Sequence, residues 1–351
     1  MAVVKANAYG HGAGPIVKAL AKAGVDWFGV ACVDEAAKLR QAGISQPILV
    51  LGGFWPGEER DLVAMGLTPA VTNCAQLPLL ERAAGRSRRN GGRPFDFHLK
   101  INTGMNRLGI SLQDVNCIAR VLPRYPHLNL HGTFTHFASS EALDSDDTDR
   151  QETLFGEALS RMNALGLSPG VIHMANSAAI ASRPSAWADM VRPGAAMYGY
   201  LPAFSPPGSY PDFESKLVLE PVLSLRTRLV AVRTLAPGEG VGYNAKFITS
   251  KPSRIAVIAA GYADGLMRGL GNCGHVIVRG AFAPIVGNIS MDMATIDVTN
   301  IEGATVGDVA TIYGKDGGLT QTAADLSLCL GTVVQDVLCA LGTRVRRIYL
   351  D

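Results

Sequence analysis

Short apolar runs rich in Val, Ile and Phe recur along the first part of the chain, and helical stretches rich in Ala and Leu separate them. This alternation is typical of repeated βα units around a parallel sheet. Eight such runs before about residue 200 predict a (β/α)8 TIM-type barrel, a fold of the α/β class. The predicted strands cover residues 2–8, 27–31, 48–52, 68–72, 95–101, 130–137, 171–176 and 190–199.

A proline-rich stretch over residues 201–213 interrupts this rhythm, and we place a domain linker there because proline ends helices and central strands. The alternating runs that follow, separated by Gly-containing turns, predict a mostly antiparallel β domain. Its predicted strands cover residues 223–231, 254–259, 275–278, 293–298, 308–312 and 345–350, with a helix over 322–329. We therefore expect a barrel domain over residues 1–203 and a C-terminal β domain over 214–351.

Composition excludes several classes of function. The formal net charge is +2, which predicts no nucleic-acid partner, and the Gly-rich basic cluster over residues 82–93 is interpreted as a solvated loop. The six cysteines lack paired spacing, so we expect reduced, mostly buried thiols and no metal site. The sequence shows no signal segment and no apolar run of bilayer length, which predicts a cytoplasmic protein without a membrane partner.

The active site of such a barrel is expected at the carboxyl ends of its strands. Lys5 stands among small apolar residues of the first run, where burial would be costly unless the amine is deprotonated or used covalently. A desolvated lysine readily forms a Schiff base, whereas a lysine that extends to the barrel mouth is the structural alternative.

Other predicted strand ends also carry cationic or hydrogen-bonding residues. They are Lys100, Arg107, His136, Asn176, Ser177, Arg192, Gly194 and Ala195. Ser177 and the amides of Gly194 and Ala195 would suit a phosphate group. Taken singly, each of these residues has a structural interpretation; together they predict a phosphorylated cofactor bound covalently to Lys5.

Several motifs of this sequence, in their order along the chain, resemble those of the alanine racemase family, whose members use pyridoxal 5'-phosphate (PLP). They are residues 4–12 (Val-Lys-Ala-Asn-Ala-Tyr-Gly-His-Gly), Arg192-Pro193-Gly194 with Met197-Tyr198-Gly199, Gly242-Tyr243, and Ser290-Met291-Asp292. The resemblance extends over essentially the whole chain. It implies a racemase that interconverts L-alanine and D-alanine, either for peptidoglycan synthesis or for alanine catabolism.

The same resemblance implies a role for each site residue. Lys5 would hold PLP and act on one face of the substrate, and Tyr243 from the other subunit of a homodimer would act on the opposite face. Arg192 would face the pyridine nitrogen and disfavour its protonation. Further PLP contacts would come from Tyr9, Arg107, His136, Asn176, Ser177, Gly194, Ala195 and Gln335. Arg107, Met291 and Asp292 would contact the substrate, and Lys100 is a candidate for carbamylation.

The sequence departs from the family pattern at two places. Gln335 stands where the family usually has tyrosine, which predicts a wider substrate tolerance that includes serine. The family's strand and helix before the cofactor lysine are missing from these residues, and we expect a misassigned start codon. The alternatives are a PLP-dependent amino-acid decarboxylase of the same fold, a broader-specificity amino-acid (serine) racemase, a single-barrel PLP carrier and an inactive truncated relative.

Overall fold

The computed structural model of the chain describes residues 1–87, 93–209 and 217–350. It divides into two compact units. The first comprises residues 1–8, 12–197 and 201–218, and the second comprises 9–11, 198–200 and 219–351. Arg88 and Arg89 of the basic cluster, and residues 210–216 in and beyond the predicted linker, lie outside the described residues.

The first unit is built on a curved sheet of parallel strands, each paired with the next along the chain. The strands are β1 (Ala2–Val3), β2 (Phe28–Val30), β3 (Ile48–Val50), β4 (Thr68–Val71), β5 (Phe95–Lys100), β6 (Leu128–Phe134) and β7 (Val171–His173). Most are buried throughout, as expected of parallel strands covered by helices. The barrel-type α/β architecture predicted from the sequence is confirmed.

The prediction of an eighth strand over residues 190–199 is wrong, because these residues form no strand. The first part of this segment nevertheless spans the gap between β7 and β1, because the Arg192 amide donates to the Ala175 carbonyl at 2.9 Å and the Val3 amide donates to the Pro193 carbonyl at 3.0 Å. Pro193 has no N–H to extend the ladder, and the chain turns into the 3-10 helix Ala195–Tyr198.

Helices connect the strands of the first unit and bury one face. Their bounds are Ala13–Lys22, Val33–Gln41, Glu59–Met65, Leu77–Arg86, Val115–Val121, Asp147–Ala164 and Ser177–Ser182. The longest shows the principle, since it buries Gln151, Phe155, Ala158 and Met162 at spacings of three and four residues.

The second unit contains an antiparallel sheet that closes on itself. The strands of this unit are β8 (Leu225–Leu235), β9 (Gly240–Val241), β10 (Phe247–Ile248), β11 (Ser253–Ile258), β12 (His275–Val278), β13 (Ala281–Val286), β14 (Ala294–Asp297), β15 (Val309–Asp316) and β16 (Leu319–Gln321). The strand order in the sheet is β12-β13-β14-β11-β8-β15-β16, and the additional pairing of β12 with β15 joins six of these strands in a ring. The helices Ala323–Leu330 and Val334–Cys339 follow. Closure removes exposed strand edges from the ring.

Two smaller expectations also fail, one in the second unit and one for cysteines of both units. Residues 345–350 form no strand, because Arg347 donates to the carbonyls of Gly10 and Leu341 instead and the Tyr349 hydroxyl donates to that of His11. Cys273 and Cys329 form a disulfide, Cys32 and Cys339 are exposed, and Cys74 and Cys117 are half-buried. The prediction of reduced thiols is therefore wrong for one pair, and none of the six cysteines is buried. None of the described helices is long and apolar enough to cross a membrane.

The helix Ala323–Leu330 offers a test of local stability. Thr322 caps it, accepting from the Asp325 amide while the Asp325 carboxylate accepts from the Thr322 amide at 2.7 Å. We expect Thr322→Ala to lower the free energy of unfolding by about 1 kcal/mol, and Thr322→Ser to keep most of it. Chemical denaturation of the three proteins measures this, and equal losses in both variants would contradict a capping role.

Candidate active site

Lys5 follows the buried Val4, which comes directly after β1, and the chain turns left-handed there. Ala6, Asn7 and Ala8 have φ/ψ of 52/50°, 54/46° and 55/53°. This conformation costs L-residues roughly 1–2 kcal/mol each, so the surroundings must hold it. The strand expected over residues 2–8 therefore ends early, and Lys5 is exposed, as in the alternative of a lysine at the barrel mouth.

Side chains of this unit stabilise the left-handed turn. The Glu35 carboxylate accepts from the Ala6 amide at 2.6 Å and, through its second oxygen, from the Ala31 amide at 2.8 Å. The side-chain oxygen of Asn7 accepts from the amide of Ala13 at 2.8 Å. Glu35 thus ties the turn to the end of β2. Sequence reasoning missed it, because an acidic residue in a first helical turn is ordinarily explained by the helix dipole.

Burial and three other cations of the first unit lower the pKa of Lys100. The pKa of Lys100 is lowered to about 8, mainly by burial. The positive charges that lower it further belong to Arg107, Arg192 and Lys5, in decreasing order. Burial and the same charges, together with that of Lys100, hold the pKa of His136 well below its usual range. None of the described carboxylates contributes to either shift, so this region favours an anion.

Arg192 is the most buried of these cations, with 4% of its surface exposed. Its Nη2 donates to the carbonyls of Thr135 at 2.7 Å and Met174 at 2.8 Å and lies 3.3 Å from Nδ1 of His136. Its Nη1 lies 2.9 Å from Nδ1 of His173. Burial lowers the pKa of Arg192 to about 9, which leaves it protonated at neutral pH.

Small hydrogen-bonding groups gather after β7 and at the closing segment, which is the stretch around Pro193 that bridges β7 and β1. Asn176 caps the helix Ser177–Ser182 by accepting from the Ala179 amide at 3.0 Å. The Ser177 hydroxyl oxygen accepts from the amides of Gly194 at 2.9 Å and Ala196 at 3.2 Å. The structure thus brings Asn176, Ser177, Gly194 and Ala195 together, with the hydroxyl proton of Ser177 as a further donor.

Arg107 lies exposed in the loop that follows β5. Asn102 pins this loop, because its side-chain oxygen accepts from the Asn106 amide at 3.0 Å and its side-chain nitrogen donates to Asn106 at 2.9 Å. The Ile110 amide donates to the Lys100 carbonyl at 2.9 Å. The loop therefore leaves and returns at the end of β5, close to Lys100.

Tyr9 belongs to the second unit, although only three residues separate it from Lys5 in the sequence. Its ring centroid lies 4.9 Å from that of Tyr198, whose ring also stacks on His11 at 4.5 Å. Burial raises the pKa of Tyr9 to about 12, so its hydroxyl stays protonated and can donate a hydrogen bond to an anion. Gln335 lies half-buried in the helix Val334–Cys339 of the same unit.

Tyr243 stands in a tight turn of the second unit with 71% of its surface exposed. Asn288 fixes the turn by donating to the Tyr243 carbonyl at 2.9 Å. A cavity of about 290 Å³ adjoins the tyrosine. Its lining consists of Gly242, Tyr243, Asn288, Ser290, Met293, Ala294 and Thr295.

The loop that carries Met291 and Asp292 is clamped by Arg344. This arginine pairs with both oxygens of Asp264, at 2.7 and 3.0 Å, and with Asp292 at 2.8 Å. The Ala263 amide donates to the Met291 carbonyl at 3.0 Å. Sequence reasoning missed Arg344 and Asp264, since 80 residues separate them and no motif joins them.

The fold and this geometry define a two-domain barrel enzyme with a cation-rich site for an anionic ligand. Family models for the N-terminal and C-terminal domains of alanine racemase match residues 1–202 and 222–349. The chain therefore belongs to the alanine racemase family.

Individual relatives agree with this assignment. An alanine racemase of Geobacter sulfurreducens is 39% identical over 355 residues, which cover 100% of this chain and 90% of that protein. The crystal structure of alanine racemase from a D-cycloserine-producing Streptomyces lavendulae superposes with a TM-score of 0.91 at 32% identity, covering 100% of this chain and 90% of that one. The Bartonella henselae alanine racemase structure, with covalently bound pyridoxal phosphate, superposes with a TM-score of 0.86 at 30% identity. The match covers 99% of this chain and 92% of that one.

The racemase prediction is confirmed by these relatives, whereas the decarboxylase and serine racemase alternatives receive no support from them. The roles of the individual site residues stay predictions. In the first unit the structure brings together the cationic residues and the group around Ser177, and it places Tyr9, Tyr243, Met291, Asp292 and Gln335 in the second.

Glu35 permits a direct test of what holds the left-handed turn. Glu35→Ala removes the acceptor of two amides, so we expect hydrogen exchange at Ala6 and Ala31 to become about tenfold faster or more, and Glu35→Gln to have a smaller effect. Exchange measured by mass spectrometry on peptides covering these residues gives the rates. Asp34→Ala, on the same helical turn, is the control, and unchanged exchange in Glu35→Ala would contradict the assigned role.

Proposed function

We propose that this chain is a PLP-dependent enzyme that interconverts L-alanine and D-alanine, using Lys5 and Tyr243 as two bases. The observation that carries the proposal is an exposed lysine at a strand end that shares its electrostatic environment with three other cations. Such a site supplies both a nucleophile and a strong preference for an anionic ligand.

The residues present fit PLP by the chemistry of their donors. Lys5 would hold the aldehyde carbon. The hydroxyls of Tyr9 and Ser177, with the Gly194 and Ala195 amides and the side-chain NH2 group of Asn176, would surround the phosphate. Arg107 would meet the phenolate oxygen and the substrate carboxylate, His136 would pack near the ring, and Gln335 would approach the phosphate. When bound, PLP withdraws electrons from the substrate and makes its α-hydrogen acidic.

Racemisation removes a proton from one face of the α-carbon and returns a proton to the other, so two groups are needed. The Lys5 amine would serve one face and the Tyr243 phenol the opposite face. The exposure of Tyr243 supports a position where a second copy of the chain presents it to the site, in a homodimer with two shared sites. Met291 and Asp292, on the loop clamped by Arg344, would complete the substrate contacts.

Arg192 would set the reaction type. Because it stays protonated, it can donate to the pyridine nitrogen and cannot give that nitrogen a proton easily. This limits how far the ring stores electrons, which favours rapid return of a proton to the α-carbon over side reactions.

Lys100 is proposed to carry a carbamate. Its lowered pKa makes the neutral amine that reacts with carbon dioxide abundant near pH 8, and the carbamate anion would pair with Arg107. The D-alanine formed would enter peptidoglycan synthesis, or the enzyme would serve alanine catabolism. Its cytoplasmic location stays a prediction.

Mixing two inactive variants tests the shared sites. Lys5→Ala and Tyr243→Phe should each abolish racemisation, by a factor of about 10² or more. If each site takes one residue from each subunit, a mixed dimer holds one doubly altered site and one native site. An equimolar, fully exchanged mixture should then regain about a quarter of the native activity.

Native mass spectrometry of the mixture shows whether mixed dimers form, and each variant alone is the control. Mixed dimers without regained activity would place Lys5 and Tyr243 in the same subunit's site. Full activity of Tyr243→Phe alone would remove Tyr243 from the mechanism.

A second test addresses Lys100. With ¹³C-labelled bicarbonate we expect a carbamate signal in NMR spectra that Lys100→Arg lacks. Arg107→Leu should weaken it twice over, because loss of a neighbouring positive charge raises the Lys100 pKa towards 10.5 and the carbamate loses its partner. A signal that persists in Lys100→Arg would assign the carbamate elsewhere.

A further inference from the structure

Three histidines of the first unit form a continuous hydrogen-bonded chain that ends on Arg192. Nη1 of Arg192 lies 2.9 Å from Nδ1 of His173. Nε2 of His173 lies 2.8 Å from Nδ1 of His98, and Nε2 of His98 lies 3.1 Å from Nδ1 of His131. The chain thus links β7, β5 and β6 in turn, and His131 is its half-buried outer end.

Arginine fixes the direction of every bond in this chain. The guanidinium can only donate, so Nδ1 of His173 must accept and its proton must lie on Nε2. Nδ1 of His98 then accepts and its Nε2 donates to Nδ1 of His131. All three rings are therefore neutral, with the proton on Nε2.

The surroundings reinforce this arrangement. His98 and His173 are fully buried, and burial lowers the pKa of His98 to about 3 and that of His173 well below its usual range. Gly132 makes room for the His98 ring, since a β-carbon there would lie 2.7 Å from Cε1 of His98. Trp27 packs against the rings of His98 and His131, with centroids 5.2 and 5.4 Å apart.

We propose that His98 and His131 are positioning residues that hold Arg192 through His173. A single misplaced proton shows why the whole chain matters. If His98 carried its proton on Nδ1, it would face the N–H of His173, and His173 could relieve this only by moving its proton to Nδ1. That proton would then face Nη1 of Arg192 and push the guanidinium from its place.

His131 is the member at which the chain can be altered with least damage to the core. Without it, the Nε2–H of His98 is buried without an acceptor, and one way to relieve this is the proton shift just described. His131→Leu removes the acceptor. In His131→Asn the side-chain oxygen takes nearly the position of Nδ1, so this variant should restore the native arrangement.

The first measurement is the protonation of the histidines in the holoenzyme. Two-bond ¹H–¹⁵N correlation NMR with ¹⁵N-labelled histidine distinguishes the two neutral forms and the cation. The whole protein has seven histidines, so their signals can be assigned by single substitutions. We expect His98, His131 and His173 to be neutral with the proton on Nε2, and His131→Leu, but not His131→Asn, to change the His173 signals.

The second measurement rests on the proposed function. If Arg192 limits side reactions, its displacement should raise the amount of pyridoxamine phosphate formed per racemisation event. We expect a rise of about tenfold in His131→Leu and little change in His131→Asn. His127→Leu is the matched control, because His127 is exposed, pairs with Glu81 and does not belong to the histidine chain.

Each outcome decides a separate point. A proton on Nδ1, or a charged ring, at any of the three histidines would contradict the proposed proton arrangement of the histidine chain. This holds whether or not the protein racemises alanine. The NMR spectra could agree with the expectation while His131→Leu forms no more pyridoxamine phosphate per racemisation event than the native protein. That result would show that the histidine chain does not position Arg192. If no racemisation occurs at all, the proposed function fails while the NMR result still decides on the chain.

Discussion

The burial of the Arg192 guanidinium in the barrel is the constraint on which the rest of the site depends. Desolvating this charge is expensive, and the structure offsets it with the carbonyls of Thr135 and Met174 and with His173. These partners follow or end β6 and β7, so one side chain fixes both strand ends relative to the closing segment. The same charge lowers the pKa of Lys100 and His136. The cationic surroundings of the proposed cofactor site thus follow from how the barrel closes.

Local strain serves the site in a different way. The left-handed turn after β1 is unfavourable for non-glycine residues and persists because Glu35 and Asn7 bind backbone amides around it. The turn ends the strand abruptly and leaves Lys5 exposed on a backbone held from two sides. Residues 1–4 are all buried, so a regular strand that continued past Val4 would have placed Lys5 by the packing of the barrel alone.

Periodicity predicted the repeated βα units and the antiparallel domain, because both patterns reflect which faces are buried. It failed where single residues override the pattern. The segment with Pro193 turns into the 3-10 helix Ala195–Tyr198 where an eighth strand was expected, and Arg347 binds carbonyls where a last strand was expected. The motifs brought the main site residues to attention. Their supporting partners, such as Glu35, Arg344 and the three histidines, escaped because each is recognised by a contact across the fold, and sequence spacing carries no record of such contacts.

Two of the places where the chain passes between its units coincide with predicted cofactor contacts. Residues 9–11 follow the turn of Lys5, and residues 198–200 follow the closing segment with Gly194 and Ala195. In the second unit the rings of Tyr9 and Tyr198 pack together, and Arg347 holds the Gly10 carbonyl. The second unit therefore holds Tyr9 and Gly10, which follow the turn of Lys5, and Tyr198, which follows the segment with Gly194 and Ala195. A change that loosens these contacts would therefore act on backbone that is directly continuous with Lys5 and with Gly194 and Ala195, the residues proposed to hold the cofactor.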